Sequence, residues 1–411
     1  MFPKQQTVRL PLGRTCRIAS GALLAASLAA PVNAGDDFTA ALVGGKATAD
    51  LRLRYEGVDQ DNALKDAKAA TLRARLGYQT GEFKGFGAFL EAEHVTALGA
   101  EHYNSTVNRE TAYSVVADPE ATEINQAFLS YSGIADTVLK YGRQRIVLDN
   151  HRFIGNVGWR QNEQTFDAFT VVNRSLPATT ITAGYISNVN RVFGDDSPVG
   201  DFRMGSPILN VKYEGWSAGT LVGYGYFLDF DDLPANSART LGLRFAGAAP
   251  FAGGMKALYT AEYASQSDYA ENADDYDLDY YLVEGGIDTG RMTAKLGYEV
   301  LEGNGQNAFQ TPLATLHAMN GWADQFLTTP ANGLKDAYVS AGTAVAGVKL
   351  AAVYHDFRSE KGSVRYGTEW GLVATKTFGE HYSIGAKYAA YKSRDFSVDT
   401  DKLWLWAEAS F

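Results

Sequence analysis

Apolar and polar residues alternate along most of the chain, in stretches of about ten positions. Leu51, Leu53 and Tyr55 interleave with Arg52 and Arg54. The same alternation recurs at 72–78, 86–92, 241–245, 292–300 and 350–354. Because successive side chains of a strand point to opposite faces, each stretch predicts a β-strand with one apolar face and one polar face.

The connections between these stretches alternate in length. Short turns are predicted at 80–82, 132–133, 173–178, 214–215, 247–254, 288–290, 344–347 and 378–380. Longer polar stretches lie near 57–67, 97–122, 147–164, 190–206, 229–237, 266–277, 302–334, 357–363 and 393–401. Eight turns and nine loops connect eighteen strands, and short turns facing long loops are typical of outer-membrane barrels. We therefore predict an all-β fold, a single transmembrane antiparallel β-barrel of about 18 strands with short periplasmic turns and long extracellular loops.

A soluble β-sandwich or propeller in the periplasm is the alternative, because it would alternate as well. Predicted strands of about ten residues suit a tilted membrane crossing, whereas globular strands average five or six. Outward aromatics near the strand ends, such as Tyr78, Tyr185 and Tyr298, are typical of the interfacial girdles of a barrel. The last stripe ends on Phe411, an outward aromatic that we expect the outer-membrane assembly machinery to recognise. These features favour the barrel.

The first 34 residues have the pattern of a secretory signal peptide. A basic region precedes the apolar run 18–30, and Val32-Asn33-Ala34 forms a small-residue cleavage site. The run is shorter than the roughly 20 residues of a membrane-spanning helix. We predict a signal peptide at 1–34, a short periplasmic segment at 35–46 and the barrel at 47–411. Removing four cations and no acid from a chain of net charge −10 leaves −14.

Composition excludes several classes of function. The acidic balance excludes a protein that coats nucleic acid by bulk charge, and the single cysteine, Cys16, excludes a disulfide scaffold or a cysteine-ligated metal cluster. The histidines lack metal-ligand spacing, and neither a catalytic pair nor a phosphate-binding glycine loop stands out. We predict no enzyme activity, no metal and no cofactor.

The acids at 274–279 lack the EF-hand pattern, so we expect a solvated loop, which divalent ions could bridge to lipopolysaccharide.

Charged residues at inward positions are the candidate pore lining. An eighteen-stranded barrel is wide enough for water and solutes. Arginines two apart on neighbouring strands would form a positive ladder that holds carboxylates by bidentate forks. The alternative is that acids balance these cations and stiffen the wall, since inward acids nearly equal inward bases. The predicted lining residues are Arg52, Arg54, Arg73, Arg75, Glu91, Glu93, Lys140, Arg143, Arg145, Arg152, Arg160, Arg244, Lys256 and Lys295. Arg143 and Arg145 require a bulge at Gly142 to turn inward.

The stretch 302–334 is too long and too apolar for a simple solvated connection. We predict that it folds into the barrel mouth as a constriction, with packing on neighbouring loops as the alternative. The arginine-rich loop 147–164 would line the same mouth. The predicted mouth residues are Trp159, Asp167, His317, Asn320, Trp322, Asp324 and Phe326.

Two segments carry a resemblance to a known family. One runs from Tyr141-Gly142-Arg143-Gln144-Arg145 to 165–168, and the other comprises 309–317 with Asn320-Gly321-Trp322-Ala323-Asp324-Gln325-Phe326 and 328–334. Both resemble segments of the alginate-export family of outer-membrane proteins. The resemblance implies a monomeric eighteen-stranded barrel with an arginine-rich lumen that passes an anionic uronate polymer. We therefore predict a passive porin in the outer membrane of a Gram-negative bacterium. A general or small-organic-anion porin is the alternative, and a barrel enzyme or adhesin is less favoured.

Overall fold

A computed structural model describes residues 37–411, so the predicted signal peptide lies outside the described residues. A six-residue helix, α1 (Phe38–Val43), precedes eighteen strands. The strands are β1 (Lys46–Gln60), β2 (Ala67–Gln79), β3 (Phe86–Ala97), β4 (Ala121–Ile134), β5 (Thr137–Gln144), β6 (Thr165–Asn173), β7 (Thr179–Asn190), β8 (Asp201–Trp216), β9 (Gly219–Leu228), β10 (Ala238–Pro250), β11 (Lys256–Asp268), β12 (Asp277–Asp288), β13 (Met292–Leu301), β14 (Leu334–Val345), β15 (Val348–Arg358), β16 (Arg365–Phe378), β17 (Tyr382–Ser393) and β18 (Thr400–Ser410). Single 3-10 turns lie at Pro234–Asn236, Ala252–Gly254 and Leu316–Ala318.

Every strand pairs antiparallel with its neighbours in sequence, and β1 also pairs with β18. The closing register places Leu53 opposite Ala407 and Tyr55 opposite Leu405. The sheet therefore has no free edge, which satisfies the backbone groups of every strand. The predicted eighteen-stranded antiparallel barrel is confirmed. Within residues 37–411, no helix is long and apolar enough to cross a membrane.

The apolar stripes face outward, as the alternation predicts. Leu76 is 66% exposed, Leu129 61% and Leu296 68%, although each lies within a strand that is paired on both sides. A continuous belt of such side chains would be a large apolar patch in water, and it is the lipid-facing surface of a membrane barrel. Many strands extend beyond the predicted stripes, and β8 reaches 16 residues. Backbone pairing continues past the apolar belt, but the side chains there no longer alternate between apolar and polar. The sequence pattern therefore underestimates the length of these strands.

Two extracellular loops, which we call L3 (145–164) and L7 (302–333), fold back into the lumen and form its core. A third, L2 (98–120), packs against β1 and β2 through Tyr103 and Val116. Phe153 and Trp159 of L3 and Phe309 and Trp322 of L7 are buried in one hydrophobic cluster with inward aromatics of the wall. The main core of the molecule is therefore inside the barrel, where two loops meet the strands.

Candidate pore constriction

L3 and L7 bind each other across the lumen through backbone hydrogen bonds. The Gly155 amide donates to the Leu313 carbonyl at 3.0 Å, and the Thr315 amide donates to the His151 carbonyl at 3.0 Å. The Gln164 side chain also donates to Leu313 at 3.0 Å. These bonds satisfy backbone groups that would otherwise be buried without partners. The two loops form one inward-folded unit that narrows the barrel.

The wall arginines of β1 hold the backbone of L3. Arg52 donates to the carbonyls of Gly158 at 2.9 Å and Trp159 at 3.1 Å, and it forms an ion pair with Glu408 at 2.6 Å. Arg54 is 1% exposed and also donates to the Trp159 carbonyl. Its guanidinium lies 4.5 Å from the Trp159 ring centre. Both side chains thus face inward and anchor the tip of L3.

The arginines of β2 continue this arrangement. Arg73 and Arg75 both donate to the Gln161 carbonyl, at 3.4 and 3.3 Å. Arg73 forms an ion pair with Asp50, and Arg75 forms one with Glu93. Both arginines are buried. The predicted ladder exists geometrically, because Arg52 lies opposite Arg73 in the register, but its guanidiniums bind loop carbonyls and acids.

Buried carboxylates neutralise the guanidiniums of L3 itself. Arg160 donates to Glu56 at 2.8 Å, and Asp118 of L2 lies within 3.5 Å of Arg54 and 3.6 Å of Arg160. Arg152 forms an ion pair with Glu299 at 3.1 Å. L2 therefore supplies an acid that sequence reasoning missed, because no motif distinguishes Asp118 from other loop acids.

Arg145 is the most accessible cation of L3. Its side chain is 25% exposed and pairs with Glu163, which also lies 3.1 Å from Arg75. Burial alone would raise the pKa of Glu163, but Arg145 and Arg75 hold it below its usual range. Glu91 lies 4.0 Å from Arg145 and accepts from Asn125 at 2.7 Å. This group brings the end of β5, the wall and L3 together.

Arg143 lies away from this group. In the β4–β5 register it has the parity of Tyr141, which is 70% exposed on the outer face. It forms an ion pair with Asp167 of β6 at 2.9 Å. Gly142 does have a positive φ of 123°, yet the ladder continues through it, and only Arg145, beyond the strand end, turns inward. Arg143 was predicted to line the pore and Asp167 to line the mouth, but the two residues lie together on the outward face, so both predictions are wrong.

The remaining predicted cations line the barrel wall on the periplasmic side of the loops or lie at the periplasmic end of the wall. Lys140 lies over the inward ring of Phe128 at 4.5 Å. Arg244 pairs with Glu262 at 2.5 Å, and Lys295 pairs with Glu284 at 2.8 Å. Lys256 is exposed at the first position of β11, on the periplasmic rim, outside the constriction.

L7 is fastened to the wall by a chain of polar groups. The Lys387 ammonium donates to His317 Nε2 at 2.9 Å, so His317 carries its proton on Nδ1 and donates to Asp324 at 2.8 Å. Asp324 accepts from Lys402 at 2.6 Å. Burial, reinforced by Lys387, holds the pKa of His317 well below its usual value, and burial raises the pKa of Asp324 to about 7. The His317–Asp324 contact is therefore a hydrogen bond of a neutral imidazole.

Three indole rings surround the Lys387 ammonium. It lies 4.3 Å from the Trp159 ring centre, 4.5 Å from that of Trp322 and 5.7 Å from that of Trp404. A cation over aromatic faces is attracted by their quadrupoles. Since Trp159 belongs to L3 and Trp322 to L7, one wall lysine holds both loops. The sequence marks Lys387 only as an inward base.

The other predicted residues of L7 also contact the wall. Asn320 donates to Glu299 at 2.5 Å and to Asp336 at 3.1 Å. The backbone amide of Trp322 donates to Glu369. Phe326 packs against Phe357, with ring centres 4.5 Å apart. L7 thus lies inside the barrel along β13 to β18, and does not pack only on other loops.

Within residues 37–411 there is no group of three His, Cys, Asp or Glu side chains arranged to hold a metal ion. Asp277 and Asp279 belong to β12, where they accept hydrogen bonds from Ser265 at 3.0 Å and Tyr263 at 2.9 Å. The acidic stretch is therefore partly strand, with acids bound to neighbouring hydroxyls.

Comparison with solved structures identifies the architecture. OccD3 (OpdP) of Pseudomonas aeruginosa aligns with a TM-score of 0.70 at 18% identity, over 94% of this chain and 96% of that one. OccAB4 of Acinetobacter baumannii aligns at 0.71 and 17% identity, over 89% and 98%. OpdK of Pseudomonas aeruginosa, solved with vanillate, aligns at 0.70 and 16% identity, over 90% and 99%. The chain shares the fold of these outer-membrane porin barrels.

The sequence comparison agrees with the predicted resemblance. The profile of the alginate export family matches residues 45–176 of the barrel, which include β1 to β6 and L3. The segment 141–168, on which the resemblance was partly based, lies within the matched residues. No curated protein sequence matches the barrel.

Proposed function

We propose that this barrel is a passive channel for hydrophilic, anionic solutes. The observation that carries the proposal is a closed barrel whose lumen is narrowed by L3 and L7, with guanidinium groups on the wall and on L3 and ammonium groups on the wall. At the constriction, the Arg145 side chain is 25% exposed while that of its partner Glu163 is fully buried, and the Arg52 side chain is 13% exposed. Clefts lined with charge focus the field, so a cation that is more accessible than its acid partner, as Arg145 is, adds to the positive potential there.

Two observations bear on the class of solute, and each favours a different anion. The match to the alginate export family favours a uronate saccharide. The inward-folded loops favour a smaller organic anion, as does the presence of vanillate, an aromatic carboxylate, in the structure of OpdK. Both classes carry a carboxylate that a guanidinium can bind. The proposed activity is therefore passive transport of such anions, without catalysis.

Reversal potential in a KCl gradient across a planar bilayer tests the proposal. We expect chloride preference in the native barrel and a shift towards potassium in Arg52→Ala and Arg145→Ala. Arg143→Ala is the matched control, because its charge lies on the outer face and should leave the potential unchanged. Oligouronates and vanillate added separately should distinguish the two solutes by which one reduces the current. Equal permeability to both ions, unchanged by Arg145→Ala, would refute the anion preference.

We further propose that the barrel acts as a monomer in contact with outer-membrane lipid and lipopolysaccharide. Phe411 is 55% exposed and stacks on His381 at 5.1 Å, so its ring remains available to the assembly machinery. Phe411→Ala should lower the folded fraction in the outer membrane, and Phe378→Ala on the same rim should not.

A further inference from the structure

The loop that connects β7 to β8 lies at the extracellular mouth beside L3, and we call it L4 (191–200). Phe193 of L4 is 1% exposed and packs in one cluster with Val157 of L3. The Asp195 amide donates to the Glu123 carboxylate of β4 at 2.7 Å, and Glu123 also accepts from a side-chain amide of L3 at 3.1 Å. L4 is therefore held against both the wall and the loop that narrows the lumen.

Two aromatic rings position the guanidinium of Arg191, the first residue of L4. It lies 4.9 Å from the ring centre of Phe193 and 4.6 Å from that of Phe202 in β8. Phe202 lies opposite Val189 in the register, and Val189 is buried in the cluster inside the barrel, so Phe202 is on the inward face. A cation over aromatic faces is attracted by their quadrupoles. The two rings therefore fix a cation on the lumen side of the extracellular rim.

Arg191 has hydrogen-bond donors left over for a ligand. A guanidinium carries five N–H donors, and the described residues 37–411 accept one of them, through the Val199 carbonyl at 3.1 Å. No carboxylate of that described part of the chain forms an ion pair with Arg191, whereas each of the three guanidiniums of L3 has an acid partner. Burial lowers the pKa of Arg191 to about 10, so the side chain is still a cation at neutral pH.

We propose that Arg191 is an entry site at the extracellular mouth, which binds the carboxylate of a solute before the solute reaches Arg145. The inference rests on the proposed anion channel and adds to it a site outside the constriction. A guanidinium can bind a carboxylate through two parallel hydrogen bonds, and a cation at the mouth of a pore raises the association rate of anions. The alternative is a structural role, in which Arg191 only fastens L4 through the two rings and the Val199 carbonyl.

Single-channel recording of the full barrel in 0.1 M KCl, with vanillate or an oligouronate added to one side of the bilayer, tests this site. Arg191→Gln removes the charge but keeps a donor for the Val199 carbonyl. We expect the association rate of block from the extracellular side to fall about tenfold, and the rate from the periplasmic side to stay at the native value. Arg239→Ala is the matched control, because Arg239 is an exposed cation on the outward face of β10 at the same rim. Heat-modifiable migration in gels verifies that each variant is folded.

Two results would overturn the entry site and leave the anion channel in place. One is an equal rate of block from the extracellular side in the native barrel and in Arg191→Gln. The other is a difference that is just as large in 1 M KCl, where the Debye length is about 3 Å, since that outcome would assign Arg191 the structural role. A native barrel that neither anion blocks from either side would instead refute the proposed function, and the entry site with it.

Discussion

Replacing Glu56 with Gln should release L3 from the wall. Glu56 is 1% exposed, accepts from Arg54, and accepts from Arg160 at 2.8 and 3.3 Å. Glutamine keeps the size but removes the charge, so the two guanidiniums must share Asp118. Charge-assisted hydrogen bonds contribute about 1.5–3 kcal/mol each, and removing one partner of a buried ion pair costs about 3–5 kcal/mol. A loss of about 4 kcal/mol shifts the equilibrium between docked and released L3 roughly a thousandfold.

Single-channel recording in a planar bilayer measures this shift. The Glu56→Gln barrel should move repeatedly to a higher conductance as Trp159 and its neighbours leave the lumen, whereas the native barrel stays at one level. Glu284→Gln is the control, because Glu284 binds Lys295 and Tyr338 on the wall without contacting L3. A steady Glu56→Gln current, or the same transitions in Glu284→Gln, would refute the assigned role of the network.

Four further outcomes are expected. Trp322→Ala removes an indole that is 3% exposed, which should cost L7 about 3–5 kcal/mol of docking and raise the open-channel current noise. Arg75→Ala should increase proteolysis of L3 in intact cells more than Lys140→Ala, because only Arg75 contacts L3. Asp324→Asn should weaken the docking of L7 as pH falls from 7.5 to 5.5. Burial keeps His317 neutral while L7 is docked, whereas the imidazole gains a proton when L7 is released, so acid favours the released loop. His317→Gln should instead tighten L7 over the same range, since the docked Asp324, with a pKa of about 7, binds a proton that the released carboxyl does not. Current noise at the two pH values checks both signs, and equal responses of the two variants would contradict them.

The fold could be predicted because a membrane barrel repeats its constraint on every strand. Each crossing must alternate an apolar face against lipid with a polar face against the lumen, as in β1 and β2. Closure needs no separate signal, since an open edge cannot remain in lipid. The strand number and the sidedness of the loops followed from the same pattern.

The site could be predicted only as far as the strands extend. Period two placed Arg54, Arg73 and Arg75 in the lumen, but the backbone of L3 has no periodicity that shows where its carbonyls will lie. The ladder therefore looked free to bind solute, whereas these guanidiniums bind the carbonyls at 159 and 161. Asp118 could not be assigned for the same reason, because its role depends on how L2 folds over the mouth.

Arg143 and Arg145 show why charge counting along a strand does not give pore selectivity. They are two residues apart and would share a face if β5 continued, but β5 ends at Gln144. Arg143 stays in register on the outer face with Asp167, whereas Arg145 follows L3 inward to Glu163. Because Arg54, Arg73 and Arg75 are paired and buried under L3, the field that a solute meets depends mainly on more accessible groups such as Arg145, Arg52 and Arg244. A chain of net charge −10 can therefore favour anions when its few accessible lumen cations lie at the constriction.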